Sequence, residues 1–310
     1  MKHRILALLL ASAVLLLGGC RHTAQPESAA ESAPLSAAPT VWRYAALGDS
    51  IPAGYGLADG EKSYPERLRD EIGAAYDVVK FSNFAVSGQT SAQLHTQVSA
   101  LLTGGGDAQQ LLETADAITI CIGGNDFLQP LSAERQQILG SITSPADLAG
   151  LSLAELGQLV LRVQTFLRSG RLQEIADDGC RQLEDSLTAT IVLLREHNPD
   201  VRIVLMTVYN PFDGVALKSG DAVILDIGAT VAPYMEQLCA VIRRIAEETG
   251  CLLADAAAAF AADTGENRLV NAHVDGDDWS TLDFDPHPTA RGHELLAAVH
   301  RPLLEGTAAE

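Results

Sequence analysis

One stretch decides the fold of this chain: Tyr44-Ala45-Ala46-Leu47-Gly48-Asp49-Ser50-Ile51-Pro52-Ala53-Gly54. A short apolar run ends abruptly at Gly48, and a second glycine, Gly54, follows four residues after Ser50. A buried strand that turns sharply at a glycine leaves one hydroxyl on the loop before the next helix. Ser50 is therefore a candidate nucleophile. The alternative that this stretch leaves open is that Asp49 and Ser50 only cap the helix.

Together with this first run, the sequence has five apolar runs rich in Val, Ile and Leu, at 42–47, 78–84, 117–122, 201–208 and 251–254. They are continuous rather than alternating, as expected of strands that are covered on both faces. Helical patterns lie between them, and Ser63-Tyr64-Pro65-Glu66 has the form of a capping box with an early proline. Strands that alternate with helices predict an α/β fold with a five-stranded parallel sheet.

A long segment separates the third and fourth runs and exceeds what one crossover helix requires. Within it, the amphipathic stretch 180–197 is the predicted crossover helix. The preceding part, 128–179, is predicted to be a helical insertion after strand three. At the carboxyl edge of the sheet this insertion could form a lid or a substrate wall, or it could be a packed surface decoration.

Three loops that carry polar groups follow the first three strands. The first holds Ser50, the second is Ala85-Val86-Ser87-Gly88-Gln89-Thr90, and the third is Gly123-Gly124-Asn125-Asp126. In the doubly wound strand order 2-1-3-4-5, strands one and three are neighbours at the point where ligands bind. We therefore expect all three loops to face one crevice.

Near the other end of the chain, Asp283-Phe284-Asp285-Pro286-His287-Pro288-Thr289 leads into a helix that is predicted to begin near Ala290. The flanking prolines hold His287 on a stiff loop, which follows strand five at the same sheet edge. His287 can therefore reach Ser50. A serine, a glycine, an asparagine and a histidine in this arrangement are the parts of an acyl-transfer site: a nucleophile, two oxyanion donors and a general base.

Together, Gly48-Asp49-Ser50, Gly88, Gly124-Asn125-Asp126 and Asp285-Pro286-His287-Pro288 resemble the four signature blocks of the SGNH (GDSL) hydrolase superfamily. The resemblance extends from about Trp42 to Leu304. It implies a three-layer α/β/α, flavodoxin-like fold and hydrolysis of esters or thioesters without a metal or other cofactor. By the same resemblance, Ser50 is the nucleophile and His287 is the base. The oxyanion hole is formed by the backbone N–H groups of Ser50 and Gly88 and the side-chain amide of Asn125.

The group that orients His287 departs from the pattern of that superfamily, which places an aspartate three residues before the histidine. Here Phe284 occupies that position, and Asp285 lies two residues before His287. Asp285 is our predicted third catalytic residue. The backbone carbonyl of Phe284 and the carboxylate of Asp283 are the alternatives, and each would fix the imidazole tautomer through Nδ1.

Other titratable residues have structural interpretations. His293 and His300 share one face of the last helix and are predicted to serve packing or surface roles. His273 lies in an acidic segment, 271–278, whose spacing does not match a calcium loop, so we expect an exposed turn. Asp49 and Asp126 are predicted to hold their own loops through hydrogen bonds to backbone N–H groups.

The N-terminal segment predicts export. Lys2 and Arg4 precede the apolar run 5–17, which is shorter than the ~20 residues of a transmembrane helix and has the order of a secretion signal. Leu17-Gly18-Gly19-Cys20 resembles the lipobox of bacterial lipoproteins, in which Cys20 is lipidated. We predict a signal peptide over 1–19, a lipid anchor and disordered linker over 20–40, and a hydrolase domain over 41–306, held at the bacterial cell envelope.

The net charge limits the kinds of binding partner, and the cysteine spacing limits the roles of the cysteines. The formal net charge is −19, and removal of the leader takes away Lys2 and Arg4 and no acidic residue, which leaves −21. Nucleic acid is excluded because no basic cluster could neutralise its phosphates. The remaining cysteines have no metal or redox spacing and are expected to be structural or free thiols: Cys121, Cys180, Cys239 and Cys251.

These observations predict an exported, lipid-anchored serine esterase. Its substrate would be a lysophospholipid or another acyl ester, or alternatively an O-acetylated cell-wall or dietary glycan. A hypothesis of another class is a noncatalytic surface lipoprotein that binds a glycan or lipid in the same crevice. The sequence leaves the oligomeric state and the choice among these substrates open.

Overall fold

The structure, a computed structural model, describes residues 38–305 except 141, 143–146, 148–149 and 277. The predicted signal peptide, Cys20 and all but the last three residues of the predicted linker lie outside the described residues. No helix in the described part of the chain is both long and apolar enough to span a membrane.

Strands and helices alternate along the chain, as predicted. The strands are β1 Val41–Gly48, β2 Val78–Asn83, β3 Ala117–Cys121, β4 Arg202–Met206, β5 Ala216–Ser219, β6 Ala222–Asp226, β7 Leu252–Ala254, β8 His273–Asp275 and β9 Asp278–Asp283. The helices are α1 Ser50–Ala53, α2 Tyr64–Gly73, α3 Ser91–Thr103, α4 Gly106–Thr114, α5 Gly124–Leu139, α6 Leu153–Arg168, α7 Arg171–His197, α8 Ile227–Thr249, α9 Ala256–Ala262 and α10 Ala290–Leu304.

The central sheet has five strands in the order β2-β1-β3-β4-β7, and each neighbouring pair is parallel. This confirms the predicted α/β fold and strand order, because β7 is the fifth strand of that sheet. In a parallel sheet of this order, β1 and β3 lie side by side and their carboxyl ends open toward the same crevice.

Both faces of β1 are buried, which explains its continuous apolar sequence. On one face, the aromatic side chains of Trp42 and Tyr44 pack with Tyr64 of α2 and Leu296 of α10. On the other face, Ala45 and Leu47 belong to the larger core that α3, α7 and α8 complete. Successive side chains of a strand point to opposite faces, so one strand serves both helical layers.

Gly48 ends β1 at a point where only glycine fits. Its φ is +136°, and a Cβ built there would lie 1.9 Å from the carbonyl oxygen of Cys121 on β3. The next residue, Asp49, donates its backbone N–H to that same oxygen at 3.1 Å. This close approach of two strands places Ser50 at the rim of the sheet.

Several elements differ from the sequence predictions. The crossover helix α7 begins at Arg171 rather than 180, so it takes up the end of the predicted insertion 128–179. The acidic segment 271–278, expected to be a turn, provides β8 and the start of β9 of an antiparallel hairpin. A second hairpin, β5–β6, was not predicted. These pieces share a small apolar cluster formed by Ile142, Leu159, Val215, Leu217, Ala272 and Leu282.

Candidate active site

Ser50 begins α1, a single turn that follows β1 directly. The Asp49 carboxylate accepts the backbone N–H of Ile51 at 3.0 Å, so the capping role considered for Asp49 is present. Gly54 ends the turn in the left-handed conformation and donates its N–H to Ile51 and Ser50 carbonyl oxygens. Asp49 therefore caps the turn through its side chain, while the Ser50 hydroxyl contacts His287 instead.

The structure brings His287 to Ser50, with 2.9 Å between Nε2 and Oγ. Backbone contacts fix the loop that carries the imidazole. Tyr209 donates its hydroxyl hydrogen to the Pro286 carbonyl at 2.9 Å, and the Asn271 N–H donates to the His287 carbonyl at 3.0 Å. The ring also packs against Tyr55, with 4.5 Å between ring centroids.

Of the three groups considered behind the imidazole, Asp285 is the one in contact with Nδ1. Its Oδ1 is hydrogen-bonded to Nδ1 and accepts the backbone N–H of His287 at 3.1 Å, while its Oδ2 accepts from the Asn271 amide at 3.0 Å. Asp283 instead accepts the backbone N–H of Asp285 at 2.9 Å. A carboxylate at Nδ1 places the imidazole hydrogen there and leaves Nε2 free to accept the Ser50 hydroxyl hydrogen.

Asn271 is a site residue that sequence reasoning missed. It lies 14 residues before Asp285 in the chain and reaches it only because the hairpin β8–β9 folds back beside the His287 loop. The sequence signal was weak, since Asn271 stands in the segment interpreted as an acidic turn.

The predicted oxyanion groups line the same cavity as Ser50 and His287. Gly88 has a φ of +80°, a conformation that glycine adopts without strain. Asn125 lies in the first turn of α5 and donates one amide hydrogen to the Gln89 carbonyl at 3.1 Å. A side-chain amide has two donor hydrogens, so the second is available to a substrate oxygen. Gln129 secures the Gly88 loop by donating to the Gly88 carbonyl.

Two buried carboxyl groups support these loops. Burial raises the pKa of Asp49 to about 7, and it also raises the pKa of Asp126 above the ordinary range. Asp49 holds its own loop, as predicted. Asp126 also accepts a backbone N–H, as predicted, but its contacts extend beyond its own loop: it accepts the Ser91 backbone N–H at 3.0 Å, the Ser91 hydroxyl at 2.6 Å and the Gln182 amide at 3.0 Å. It therefore connects α5 to α3 and α7.

His293 and His300 have packing roles in α10. His293 accepts the Tyr64 N–H at 3.1 Å, and His300 is hydrogen-bonded to the Leu296 carbonyl at 2.7 Å. Both rings are fully buried, and desolvation lowers the pKa of each to about 4. His273 is hydrogen-bonded to the Asn271 carbonyl at 2.6 Å.

No disulfide joins the four cysteines of the described chain, and Cys121, Cys180 and Cys239 are buried. Cys251, expected in a strand, is half-buried and directly precedes β7. Among the described residues, no group of three or more His, Cys, Asp or Glu side chains has an arrangement that would hold a metal ion.

Beside Ser50 lies a cavity of about 710 Å³ with mainly apolar walls. The predicted insertion supplies part of the lining through α5 and α6. The opposite wall comes from the β4–β5 loop and the start of α8. Representative lining side chains are Leu128, Leu131, Phe166, Leu172, Val231 and Met235.

The fold and this site together define an ester hydrolase of the SGNH type. A sequence profile of the GDSL-like lipase/acylhydrolase family matches residues 46–295, and the chain belongs to that family.

Solved structures show the same fold. A lipase from a goat rumen metagenome is 17% identical with a TM-score of 0.54, over 84% of this chain and 97% of that one. Phospholipase A1 from Streptomyces albidoflavus NA297 is 20% identical with a TM-score of 0.52, over 87% of this chain and 100% of that one. A comparison with curated proteins found no match.

Proposed function

We propose that this chain is an exported, lipid-anchored serine esterase that cleaves esters of fatty acyl chains through an acyl-enzyme at Ser50. The observation that carries the proposal is the hydrogen-bonded series Asp285–His287–Ser50 at the side of an apolar cavity of about 710 Å³. That volume falls within the ~300–1,000 Å³ of pockets that enclose small-molecule ligands.

The geometry supports a two-step acyl transfer. His287 Nε2 takes the proton of the Ser50 hydroxyl as Oγ attacks the ester carbonyl carbon. The negative charge that develops on the carbonyl oxygen is stabilised by the N–H groups of Ser50 and Gly88 and the second amide hydrogen of Asn125. His287 then donates its proton to the departing alcohol. A water molecule, deprotonated by the same imidazole, hydrolyses the acyl-enzyme.

The cavity favours a fatty acyl chain over an acetyl group. Each CH₂ moved from water into apolar surroundings contributes about 0.8 kcal/mol, so a chain that follows Leu128, Leu131 and Leu172 gains binding energy that an acetyl group does not. The names of the two structural relatives, a lipase and a phospholipase A1, accord with this substrate class. An O-acetylated glycan would leave these walls uncovered.

Export and anchoring are proposed from the N-terminal sequence. The charged and apolar run before Cys20 has the order of a secretion signal, and Leu17-Gly18-Gly19-Cys20 resembles a lipobox. The domain would then work at the bacterial cell envelope. Metabolic labelling with a radioactive fatty acid tests this, since the label should be incorporated by the wild type and lost in Cys20→Ser.

The experiment that tests the activity compares p-nitrophenyl esters of two, four, eight and twelve carbons with acetylated glycans, with Ser50→Ala as the control. We expect kcat/KM to rise with chain length and to vanish in the variant. A preference for acetylated glycans would replace the fatty acyl assignment with deacetylation. Equal rates for wild type and Ser50→Ala on every substrate would reject the esterase proposal and favour the noncatalytic binding role.

A further inference from the structure

Exposed apolar side chains border the cavity. Tyr55 and Phe284, which are 57% and 40% exposed, belong to its lining. Val223 and Ile224, at 56% and 38%, directly precede Leu225, which lines it as well. We call Tyr55, Val223, Ile224 and Phe284 the apolar rim. Single exposed apolar residues are ordinary, whereas a group continuous with an apolar cavity is typical of a surface that meets a partner or a membrane.

The hairpin β5–β6 carries two residues of the rim, Val223 and Ile224. Strand β6 has the apolar sequence Ala222-Val223-Ile224-Leu225, and its pairing with β5 is interrupted at Ile224, because Val223 pairs with Lys218 and Leu225 pairs with Leu217. An extra residue of this kind bends the strand and changes the direction of its side chains. Leu225 lines the cavity while the neighbouring Val223 and Ile224 are both accessible, so this ribbon offers apolar surface to solvent directly beside the cavity lining.

Charge at the cavity identifies the kind of partner. Arg135 is the one Lys or Arg side chain among the cavity-lining residues of the described chain, and it is exposed. It lies ten residues after Asn125 on α5, about 15 Å along the helix at 1.5 Å per residue. Its guanidinium makes no ion pair with any residue that the structure describes. A phosphate group of a lipid would supply the opposite charge.

The length of the N-terminal segment is compatible with a membrane partner. β1 runs for eight residues, about 26 Å, from the N-terminal side of the sheet to the Ser50 edge. The predicted linker from Arg21 to Thr40 can extend to roughly 70 Å at most. A chain anchored at Cys20 therefore has enough length for its carboxyl sheet edge to reach the surface that holds the anchor.

We propose that the apolar rim docks on a phospholipid bilayer surface, with Arg135 against lipid phosphates, so that an acyl ester passes from the lipid phase into the cavity. The inference rests on the proposed function for the substrate, but the docking itself does not require turnover. The partner is a bilayer with little net charge, because the acidic chain is repelled by strongly anionic surfaces.

One test compares two forms of substrate in the full chain. The double variant Val223→Ser/Ile224→Ser should lower the hydrolysis of a long-chain ester in phosphatidylcholine vesicles about tenfold, because less apolar surface enters the bilayer. Its rate on monomeric p-nitrophenyl butyrate should stay within about twofold of the wild type, which also shows that it folds. Val192→Ser is the matched control, since Val192 lies on α7, is 50% exposed and does not line the cavity. Equal losses for the two substrates, or no loss on vesicles, would overturn the proposal.

A second readout is independent of activity. An environment-sensitive fluorophore on Val223→Cys, in a Ser50→Ala background, should shift to shorter wavelength with phosphatidylcholine vesicles, and the same probe on Val192→Cys should not. A shift that depends on protein concentration without vesicles would show a second copy on the rim and would refute docking on lipid. Failure of the proposed activity would abolish ester hydrolysis in the wild type but would leave this shift measurable, so the two failures are distinguishable.

Discussion

Asp49 lies directly before the candidate nucleophile and is only 3% exposed. Its pKa rises from 3.8 to about 7, chiefly because burial removes water from the carboxylate, and the charge of Asp126 adds to the rise. Asp49→Asn removes the ionisable group and keeps an oxygen that accepts the Ile51 N–H. The variant therefore isolates the cost of burying the charge.

The sign of the effect follows from proton binding. Between about pH 4 and pH 7 the folded protein holds a proton on Asp49 that the unfolded chain has released, so the free energy of unfolding falls as pH rises through this window. The rise of the Asp49 pKa from 3.8 to about 7 sets an upper limit of about 4 kcal/mol on the stability lost above pH 7. His293 and His300 have the opposite effect, because burial lowers their pKa values from 6.5 to about 4. Their contribution to the stability of the folded protein is lost as pH falls below about 6.5.

Urea unfolding of wild type and Asp49→Asn at pH 5, 6, 7 and 8 measures the effect. Because both proteins contain His293 and His300, the histidine contributions cancel in the difference between them. The variant should gain stability relative to the wild type as pH rises, by up to about 4 kcal/mol at pH 8. Asp107→Asn, at an exposed position, is the control and should change stability by no more than about 0.5 kcal/mol at each pH. A difference that does not change with pH would refute the reasoning.

Three further substitutions test the site and the sheet. Asp285→Asn should lower kcat on a soluble ester by about 10⁴-fold, because the imidazole loses the carboxylate that fixes its tautomer, whereas Asp283→Asn should cost much less; near-normal turnover of the first would remove Asp285 from the mechanism. Gly48→Ala should destabilise the fold by more than ~3 kcal/mol in urea unfolding, because the new methyl group meets the Cys121 carbonyl, and wild-type stability would contradict that close approach. Val231→Phe should lower kcat/KM for a twelve-carbon ester and spare a two-carbon ester, while parallel losses would show that Val231 does not bound the acyl cavity.

Local sequence patterns were sufficient to predict the strands of the central sheet and the loops at its carboxyl edge. β1 and β3 are buried on both faces, so their apolar runs are continuous and easy to locate. Gly48 and Gly88 have positive φ values that glycine accommodates, and each marks a loop that the sequence indicated. The strand order then brings Ser50 and Asn125 into one cavity.

Contacts between segments distant in sequence were not predictable in this way. The bond from Asn271 to Asp285 depends on how β8 pairs with β9, and the bonds from Ser91 and Gln182 to Asp126 depend on the packing of three helices. The hairpin β5–β6 was missed because its strands are short and one of them is largely exposed. The cavity exists only where these elements meet.

The central claim is that Ser50 is a nucleophile activated by His287, and a fluorophosphonate probe tests it most directly. Attack by Oγ on phosphorus with loss of fluoride leaves a stable adduct that peptide mass spectrometry locates. We expect one adduct, on Ser50, in the wild type, none in Ser50→Ala, and labelling slowed by orders of magnitude in His287→Ala. An unlabelled Ser50 in the folded wild-type protein, or equal labelling rates for wild type and His287→Ala, would contradict the account.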